Sequence, residues 1–183
     1  MKKYEFINET VEFFGTNLYR IRALIDIPKG GVKAGDLGGF LQSEKNLSVY
    51  GDAWVYGNAR VYGNAWVYGD ARVSGDARVY GNAQVYGDAR VYGDAWDVSP
   101  LYIQGSKWSV CVPQKGFLKV GCQWYSMEEW RTVWKDVARA HDAQDLVQEY
   151  VLYYNLAAQR YGYPLLDISD NQQQNKTEGA HDE

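Results

Sequence analysis

The sequence predicts a mainly β protein: a short parallel β-helix of about three coils, closed by an N-terminal β cap and followed by a C-terminal α+β module. Three observations support this fold class. Eight six-residue repeats, V-[YS]-G-[DN]-A-[RWQ], run unbroken from Val49 to Trp96. Strand-like segments precede the repeats, and a capped amphipathic helix follows them. A fixed short period means that no unit buries its own apolar face, so the units must stack as a solenoid.

The hexad itself predicts a triangular coil. Within each repeat the Ala, the next variable residue and the next Val point in, out and in, as in a short strand. Gly followed by Asp or Asn then forms a corner, because these residues tolerate positive φ best. Three strands and three corners give a coil of eighteen residues, with coils paired in parallel about 4.8 Å apart. Val and Ala fill the narrow interior.

Residues 1–36 are predicted to form the N-terminal β cap. Strand-like segments occur at 4–7 and 18–27, and a glycine-rich stretch leads into the repeats. Degenerate hexads at 37–42 and 43–48 extend the pattern backward, with Leu37, Leu41 and Leu47 at the inward positions. The β-helix is therefore assigned to residues 37–98.

Residues 99–168 are predicted to form the C-terminal α+β module. Strands are expected at 102–104, 107–112 and 117–124, with a turn at 113–116. Ser126 and Glu129 form a capping box that opens a helix ending near His141. A second amphipathic helix is expected from about 145 to 161. Residues 169–183 contain almost no apolar side chains and are predicted to be a disordered tail.

The outward positions of the repeat carry the functional signal, because packing already explains the inward ones. Folding the positions by eighteen stacks Tyr50, Tyr68 and Tyr86 on one face and Tyr62 with Tyr80 on another. Aromatic residues beside arginines are enriched in interface hot spots. Such ladders also stabilise stacked strands without any partner, so both interpretations stay open. The candidate binding residues are Trp54, Arg60, Tyr62, Trp66, Arg72, Arg78, Tyr80, Arg90 and Trp96.

Charge and hydropathy restrict the partners. The formal net charge is −4, and residues 49–96 contain four Arg against five Asp, which disfavours binding to a long nucleic acid. A small nucleotide, which needs one or two arginines and an aromatic platform, stays open. No apolar run reaches membrane-spanning length, and the start has no signal-peptide hydrophobic region. A cytoplasmic protein that does not bind membranes is expected.

Catalytic, metal and cofactor sites are not predicted. A Cys122–His141 dyad would pair a thiol with a base, but such residues more often fill a core or cap a helix. Cys111 and Cys122 are expected to be reduced and to fill small apolar spaces. Turn chemistry explains the stacked carboxylates of Asp52, Asp70 and Asp88 without calcium.

The repeat resembles the hexapeptide repeat of left-handed parallel β-helix proteins, with an aliphatic residue followed four positions later by a small one. This resemblance implies the left hand of the coil and a homo-oligomer, most simply a trimer. Many proteins with the hexapeptide repeat that this sequence resembles are acyltransferases, which use a histidine base near the coil and a protruding loop. Here His141 and His181 lie outside the repeat, and no loop interrupts the eight hexads.

Taken whole, the sequence is similar to a group of bacteriophage and prophage proteins. Four segments carry the resemblance: 18–24, 33–39, 44–48 and 103–161. It implies a non-enzymatic, phage-encoded binding protein in the host cytoplasm that acts on host machinery. The most concrete form is an inhibitor of a host defence system that binds a defence protein or sequesters a nucleotide signal. The alternatives are an assembly protein that uses the β-helix as a rigid oligomerising spacer, and a hexapeptide-type acyltransferase.

Overall fold

A computed structural model describes residues 2–167 and shows a β-solenoid followed by a sheet and two helices. Within these residues the N-terminal strands are β1 (Tyr4–Phe13), β2 (Thr16–Ala23) and β3 (Leu37–Leu41). The solenoid strands are β4 (Trp54–Val55), β5 (Arg60–Val61), β6 (Trp66–Val67), β7 (Arg72–Ser74), β8 (Arg78–Val79), β9 (Gln84–Val85), β10 (Arg90–Tyr92) and β11 (Ala95–Trp96). The C-terminal module contains β12 (Tyr102–Gln104), β13 (Ser109–Cys111), β14 (Phe117–Val120), β15 (Gln123–Ser126), α1 (Met127–Ala140) and α2 (Val147–Tyr161).

The solenoid has three faces, as the repeat predicts. Face 1 is the sheet β1-β2-β3-β5-β8-β11, in which the N-terminal hairpin continues the coil strands antiparallel. Face 2 is β4-β7-β10, and face 3 is β6-β9. The coil strands pair in parallel with an eighteen-residue register, as in Val55 with Val73 and Val73 with Val91. The predicted parallel β-solenoid of about three coils is confirmed, while its left hand stays a prediction.

The interior is the predicted column of valine and alanine. Every Val of the repeat from Val55 to Val91, and every Ala from Ala53 to Ala89, is at most 1% exposed. Each strand therefore buries its alternate residues against the two other faces, and the fold depends on side chains small enough to share a narrow prism.

The first coil departs from the period. Leu41 pairs with Val61 and Leu47 with Val67, so this coil is two residues longer than the others. Both leucines are buried inward, as predicted. The extra residues lie in the corner before Ala53, where Val49 is displaced to the surface and is 41% exposed. The inward positions predicted for Val49 and for Leu37, which is also exposed, are therefore wrong.

At the corners and strand ends, the hydrogen bonds between coils run in one direction. The backbone N–H of one coil donates to the carbonyl of the next, as Trp54 does to Ala71 at 3.0 Å and Arg72 to Ala89 at 2.9 Å. The corner carbonyls of the first coil consequently have no preceding coil to supply all their donors. A buried peptide carbonyl without a donor is unfavourable, so this end needs donors from elsewhere.

Three side chains supply donors at the first coil. Lys3 Nζ donates to the carbonyls of Ala53 at 2.9 Å and Gly51 at 3.4 Å. Asn46 Nδ2 donates to the carbonyls of Ala65 at 2.8 Å and Gly63 at 3.2 Å. Arg20 donates to the carbonyl of Gly57 at 3.1 Å. Each of these side chains serves a different corner of the prism.

The last coil has the opposite requirement, since its N–H groups need acceptors. Ser99 Oγ accepts from the N–H of Gln84 at 3.0 Å, and the carbonyl of Pro113 accepts from the N–H of Tyr92 at 2.8 Å. The C-terminal module thus caps the end that exposes donors.

The C-terminal module is an antiparallel sheet, β12-β13-β14-β15, with α1 and α2 packed against it. The predicted capping box is present, because Ser126 and Glu129 each bond the other's backbone N–H. The strand predicted over 117–124 is instead two strands, divided where Gly121 adopts a φ of +55°. A 3₁₀ turn at Gln144–Leu146 delays the start of α2. The predicted disordered tail, 169–183, lies outside the described residues.

The valine column yields a stability prediction. Val73→Asp should lower the free energy of unfolding by more than about 4 kcal/mol, because the carboxylate would enter a dry interior without a partner. Ser74→Asp is the matched control, since Ser74 is the outward neighbour on the same strand and only half-buried. Urea denaturation measures both variants. Equal stability of the two would contradict the assignment of Val73 to the interior.

Lys3 yields a pH prediction. Burial lowers the pKa of its ammonium from 10.5 to about 8, although Asp52 acts in the opposite direction. Between these values the unfolded chain binds more protons than the folded chain, so raising the pH favours folding. The stability of wild type relative to Lys3→Met should rise from pH 7.5 to pH 9.5, by at most about 1.4 kcal/mol per pH unit.

The exposed Lys45→Met variant controls for the loss of one positive charge. Denaturant titrations at several pH values give the comparison. A difference between wild type and Lys3→Met that stays flat across this range would show that the folded protein does not desolvate the ammonium.

Candidate functional site

Two of the predicted binding residues are buried instead of exposed. Trp54 occupies the outward row of face 2, but the N-terminal cap covers it, with the Tyr4 ring centred 6.3 Å away. The cap fits closely because it has Gly38 at the contact, where a Cβ would lie 2.8 Å from the indole. The outward exposure predicted for Trp54 is therefore wrong.

Trp96 is also buried, for a different reason. It pairs with Val79, one position away from the eighteen-residue register, so it takes an inward position. The missing residue is accommodated at Asp94, whose φ is +23°. The indole closes the last coil against Tyr161, with ring centroids 6.5 Å apart. Its predicted exposure is likewise wrong.

Face 1 carries four of the predicted residues beneath the tip of the N-terminal hairpin. Tyr62 and Tyr80 stack as predicted, with centroids 5.2 Å apart and planes 5° apart. The Phe13 ring packs on this stack 5.7 Å from Tyr62 and lies 4.9 Å from the guanidinium carbon of Arg60. Arg78 lies 6.0 Å from the same ring. These side chains are half-buried, because the hairpin covers much of the face 1 surface that the repeat alone would leave exposed to solvent.

Face 2 is partly covered by the 28–31 segment. Lys29 forms an ion pair with Asp70 at 2.7 Å, and its carbonyl accepts a hydrogen bond from Arg72. The hydrogen bond from Lys29 and its charge lower the pKa of Asp70. Tyr56 donates to the carbonyl of Gly30 at 2.9 Å. Arg90, further along this face, is half-buried.

Face 3 carries the exposed aromatic residues. Trp66 is 42% exposed and stacks on Tyr68, with centroids 4.1 Å apart. Tyr68 stacks on Tyr86 at 5.5 Å, and Tyr86 meets Tyr102 edge-on at 5.7 Å. We call these four residues the aromatic ladder. Burial within it raises the pKa of the Tyr68 phenol, whose hydroxyl donates to Gln84 Oε1 at 3.2 Å.

The ladder differs from the predicted stack at both ends. Tyr50 is 82% exposed, because it lies in the two-residue enlargement of the first coil. The predicted alignment of Tyr50 with Tyr68 and Tyr86 is therefore only half correct. Tyr102 joins from outside the repeat, so no period could have placed it there.

The hairpin tip has an exposed phenylalanine that the sequence reasoning missed. Phe14 is 87% exposed and has a φ of +48°, followed by Gly15 at +71°. Two residues with positive φ are typical of a two-residue hairpin loop, which prefers Asn-Gly. A bulky side chain in this conformation is strained. The Phe14-Gly15 pair between two strand-like segments is the sequence feature that could have predicted this hairpin loop.

Cys122 and His141 lie at the rim of one cavity in the C-terminal module. Gln123 stands between them: its Nε2 lies 3.0 Å from His141 Nε2 and 3.6 Å from Cys122 Sγ. The nearest described partner of the imidazole is thus an amide. Cys122 is exposed, so the prediction that it fills an apolar space is wrong, whereas Cys111 is buried as predicted.

The part of the chain that the structure describes contains neither a cluster of metal ligands nor a membrane-spanning helix. Among residues 2–167, no three His, Cys, Asp or Glu side chains are grouped as a metal centre would require. Neither helix in this range is long and apolar enough to cross a bilayer.

Comparison with known proteins supports the solenoid. The YdcK beta solenoid repeat family matches residues 53–69, 71–84 and 83–97. These segments cover β4 to β11 and neither flank, so the similarity concerns the coils alone. No curated protein matches the chain. The chain is therefore a β-solenoid repeat protein.

The strained tip yields a prediction. Phe14→Asn should raise the free energy of unfolding by about 1 kcal/mol, because Asn tolerates positive φ and the exposed ring loses only its edge contact with Phe13, at 4.6 Å between centroids. Phe13→Asn is the control and should destabilise, since that ring packs on Tyr62. Urea denaturation gives both values. A loss of stability in Phe14→Asn would mean that the Phe14 ring contributes to folding.

Proposed function

We propose that the protein is a non-enzymatic binding protein, in which the solenoid presents the aromatic ladder of face 3 to a partner protein. The exposure of Trp66 and Tyr86 on a face that neither the hairpin nor the 28–31 segment covers carries this proposal. Contiguous exposed aromatic side chains on a rigid scaffold suit an interface, because they bury large area and lose little conformational entropy.

Stacking along the solenoid explains only part of the ladder. Contacts between Tyr68 and Tyr86 stabilise neighbouring coils, and the same holds for Tyr62 and Tyr80. Trp66 stacks on Tyr68 of its own coil and leaves much of its indole in solvent. A purely structural ladder gains little from this residue, so Trp66 is the preferred anchor for a partner.

A protein partner fits the described contacts better than a nucleotide. Nucleotide binding would use arginines to hold phosphate. Arg72 already donates to the carbonyl of Lys29, and Arg60 lies beneath Phe13. The aromatic surface of face 3 instead has the uncharged Gln84 beside Trp66.

The resemblance to phage and prophage proteins supports a target in the host machinery. The most concrete form is inhibition of a host defence system through binding of a defence protein. The regular eighteen-residue register from β4 to β10 supports a scaffold rather than a hexapeptide acyltransferase, whose loop would interrupt the coils. A rigid oligomerising spacer is the competing function, and in that case face 3 would contact a second copy.

The double variant Trp66→Ser, Tyr86→Ser tests the ladder. It should fold as wild type but lose its partner, because the two removed rings supply the exposed aromatic area. Native mass spectrometry of each protein purified from a bacterial host reports subunit number and any retained partner. Plating efficiency of phage on strains that carry defence systems, each expressing wild type or variant, reports the activity.

Trp124→Ser is the matched control, since Trp124 is a similarly exposed tryptophan in the C-terminal module. A variant that loses only self-association supports the spacer function. If the double variant keeps the subunit number, the retained partner and the plating efficiency of wild type, face 3 is not the binding surface.

A further inference from the structure

The C-terminal module contains a cavity that the proposed function does not use. It lies between the sheet and the two helices, is partly open to solvent, and has about 80 Å³ of space for the centres of water-sized molecules. Small-molecule sites are typically concave and mostly apolar, with a few polar groups that orient the ligand. Its position in the cap, rather than on the coils, makes it independent of the aromatic ladder.

Three tryptophans dominate the wall: Trp108, Trp130 and Trp134. The polar groups deep in the wall are already satisfied. Trp130 Nε1 donates to the carbonyl of Leu118 at 2.7 Å, and the Tyr154 hydroxyl donates to the carbonyl of Met127 at 2.8 Å. The interior therefore offers aromatic and aliphatic surface, with few hydrogen bonds to give.

The rim gathers the polar groups that face the cavity. Gln123 and His141 meet there at 3.0 Å, and the Trp108 ring lies edge-on to the imidazole with centroids 6.0 Å apart. The Tyr150 hydroxyl fixes the backbone of Trp108: it accepts a hydrogen bond from the backbone N–H of Trp108 at 2.6 Å and donates one to the Trp108 carbonyl at 3.0 Å. The hydrogen-bonding capacity of the site is thus concentrated at one point of its mouth.

The charges of the lining residues restrict the class of ligand further. Among the described residues, none that lines the cavity is Asp, Glu, Lys or Arg. An ion placed inside the cavity would lose its hydration without gaining a partner of opposite charge, which is strongly unfavourable, and Lys107 lies outside the lining, with its Nζ 3.4 Å from the His141 carbonyl. The chain's own last residues, 169–183, contain Ala180 as their only aliphatic side chain and are poorly suited to fill such a space.

We propose that this cavity binds a flat, uncharged aromatic molecule with one hydrogen-bonding group. The ring packs among the tryptophans, where edge-on and offset contacts favour a planar π-system over a saturated ring. The polar group lies at the rim and replaces one partner of the Gln123–His141 pair. The binding site therefore extends the function of the chain beyond the solenoid.

Three matched probes test the ligand class by isothermal titration calorimetry. 2-Naphthol has a planar ring and one hydroxyl, decahydro-2-naphthol keeps the hydroxyl without planarity, and 2-naphthoate keeps the ring but adds a charge. Wild type should bind 2-naphthol with a stoichiometry of one and bind the other two at least about tenfold more weakly. No saturable binding of 2-naphthol, or equal binding of all three, overturns the proposal.

Variants locate the site. Val137→Trp and the smaller change Ala138→Leu should each reduce 2-naphthol binding at least about tenfold by filling the cavity, and Gln123→Leu should reduce it about tenfold by removing the polar contact. Thr132→Trp, on the exposed side of α1, is the control and should bind as wild type. Circular dichroism checks that each variant is folded.

Undiminished binding in both filled variants overturns the proposal, because the probe would then lie elsewhere. The double variant Trp66→Ser, Tyr86→Ser should bind 2-naphthol as wild type does. The experiments can therefore contradict the role of the aromatic ladder without contradicting ligand binding in the cavity, and the reverse.

Discussion

The single direction of the hydrogen bonds at the corners and strand ends of the coils is the constraint on which the rest of this structure depends. At these positions every coil donates N–H groups to the next, so the first coil has corner carbonyls that lack donors and the last coil has N–H groups that lack acceptors. With about three coils, the two ends make up a large part of the molecule. The caps must therefore be chemically different: side-chain donors at the first coil, and Ser99 Oγ with the Pro113 carbonyl at the last.

The caps in turn decide which outward residues are free to interact. The hairpin that continues face 1 also lays Phe13 across Arg60 and Tyr62. The 28–31 segment that follows this hairpin covers part of face 2 and engages Arg72. Face 3 keeps its exposed aromatic rows because neither element crosses it. The location of the candidate interface is thus a consequence of how the first coil is closed.

The repeat was sufficient to predict the fold class, and its flanks explain where the details failed. Val and Ala positions were predictable because an eighteen-residue period fixes which side of the strand faces inward. Leu37 and Val49 were misplaced because the first coil has two additional residues, and Trp96 because the last has one fewer. Such changes of length occur at corners, where the sequence pattern of Gly with Asp or Asn looks the same whether or not the register is kept.

Trp54, Trp66 and Trp96 show why a repeat alone could not locate the candidate site. All three occupy the same position of the hexad, yet their exposures are 0%, 42% and 1%. Trp54 and Trp66 differ in what packs outside them, a strand cap or solvent, whereas Trp96 differs because the shifted register turns it inward. Identical coils offer identical surfaces, and only elements that break the repeat can distinguish one from another. In a solenoid this short, specificity for a partner is therefore set by the caps as much as by the coils that carry the contact residues.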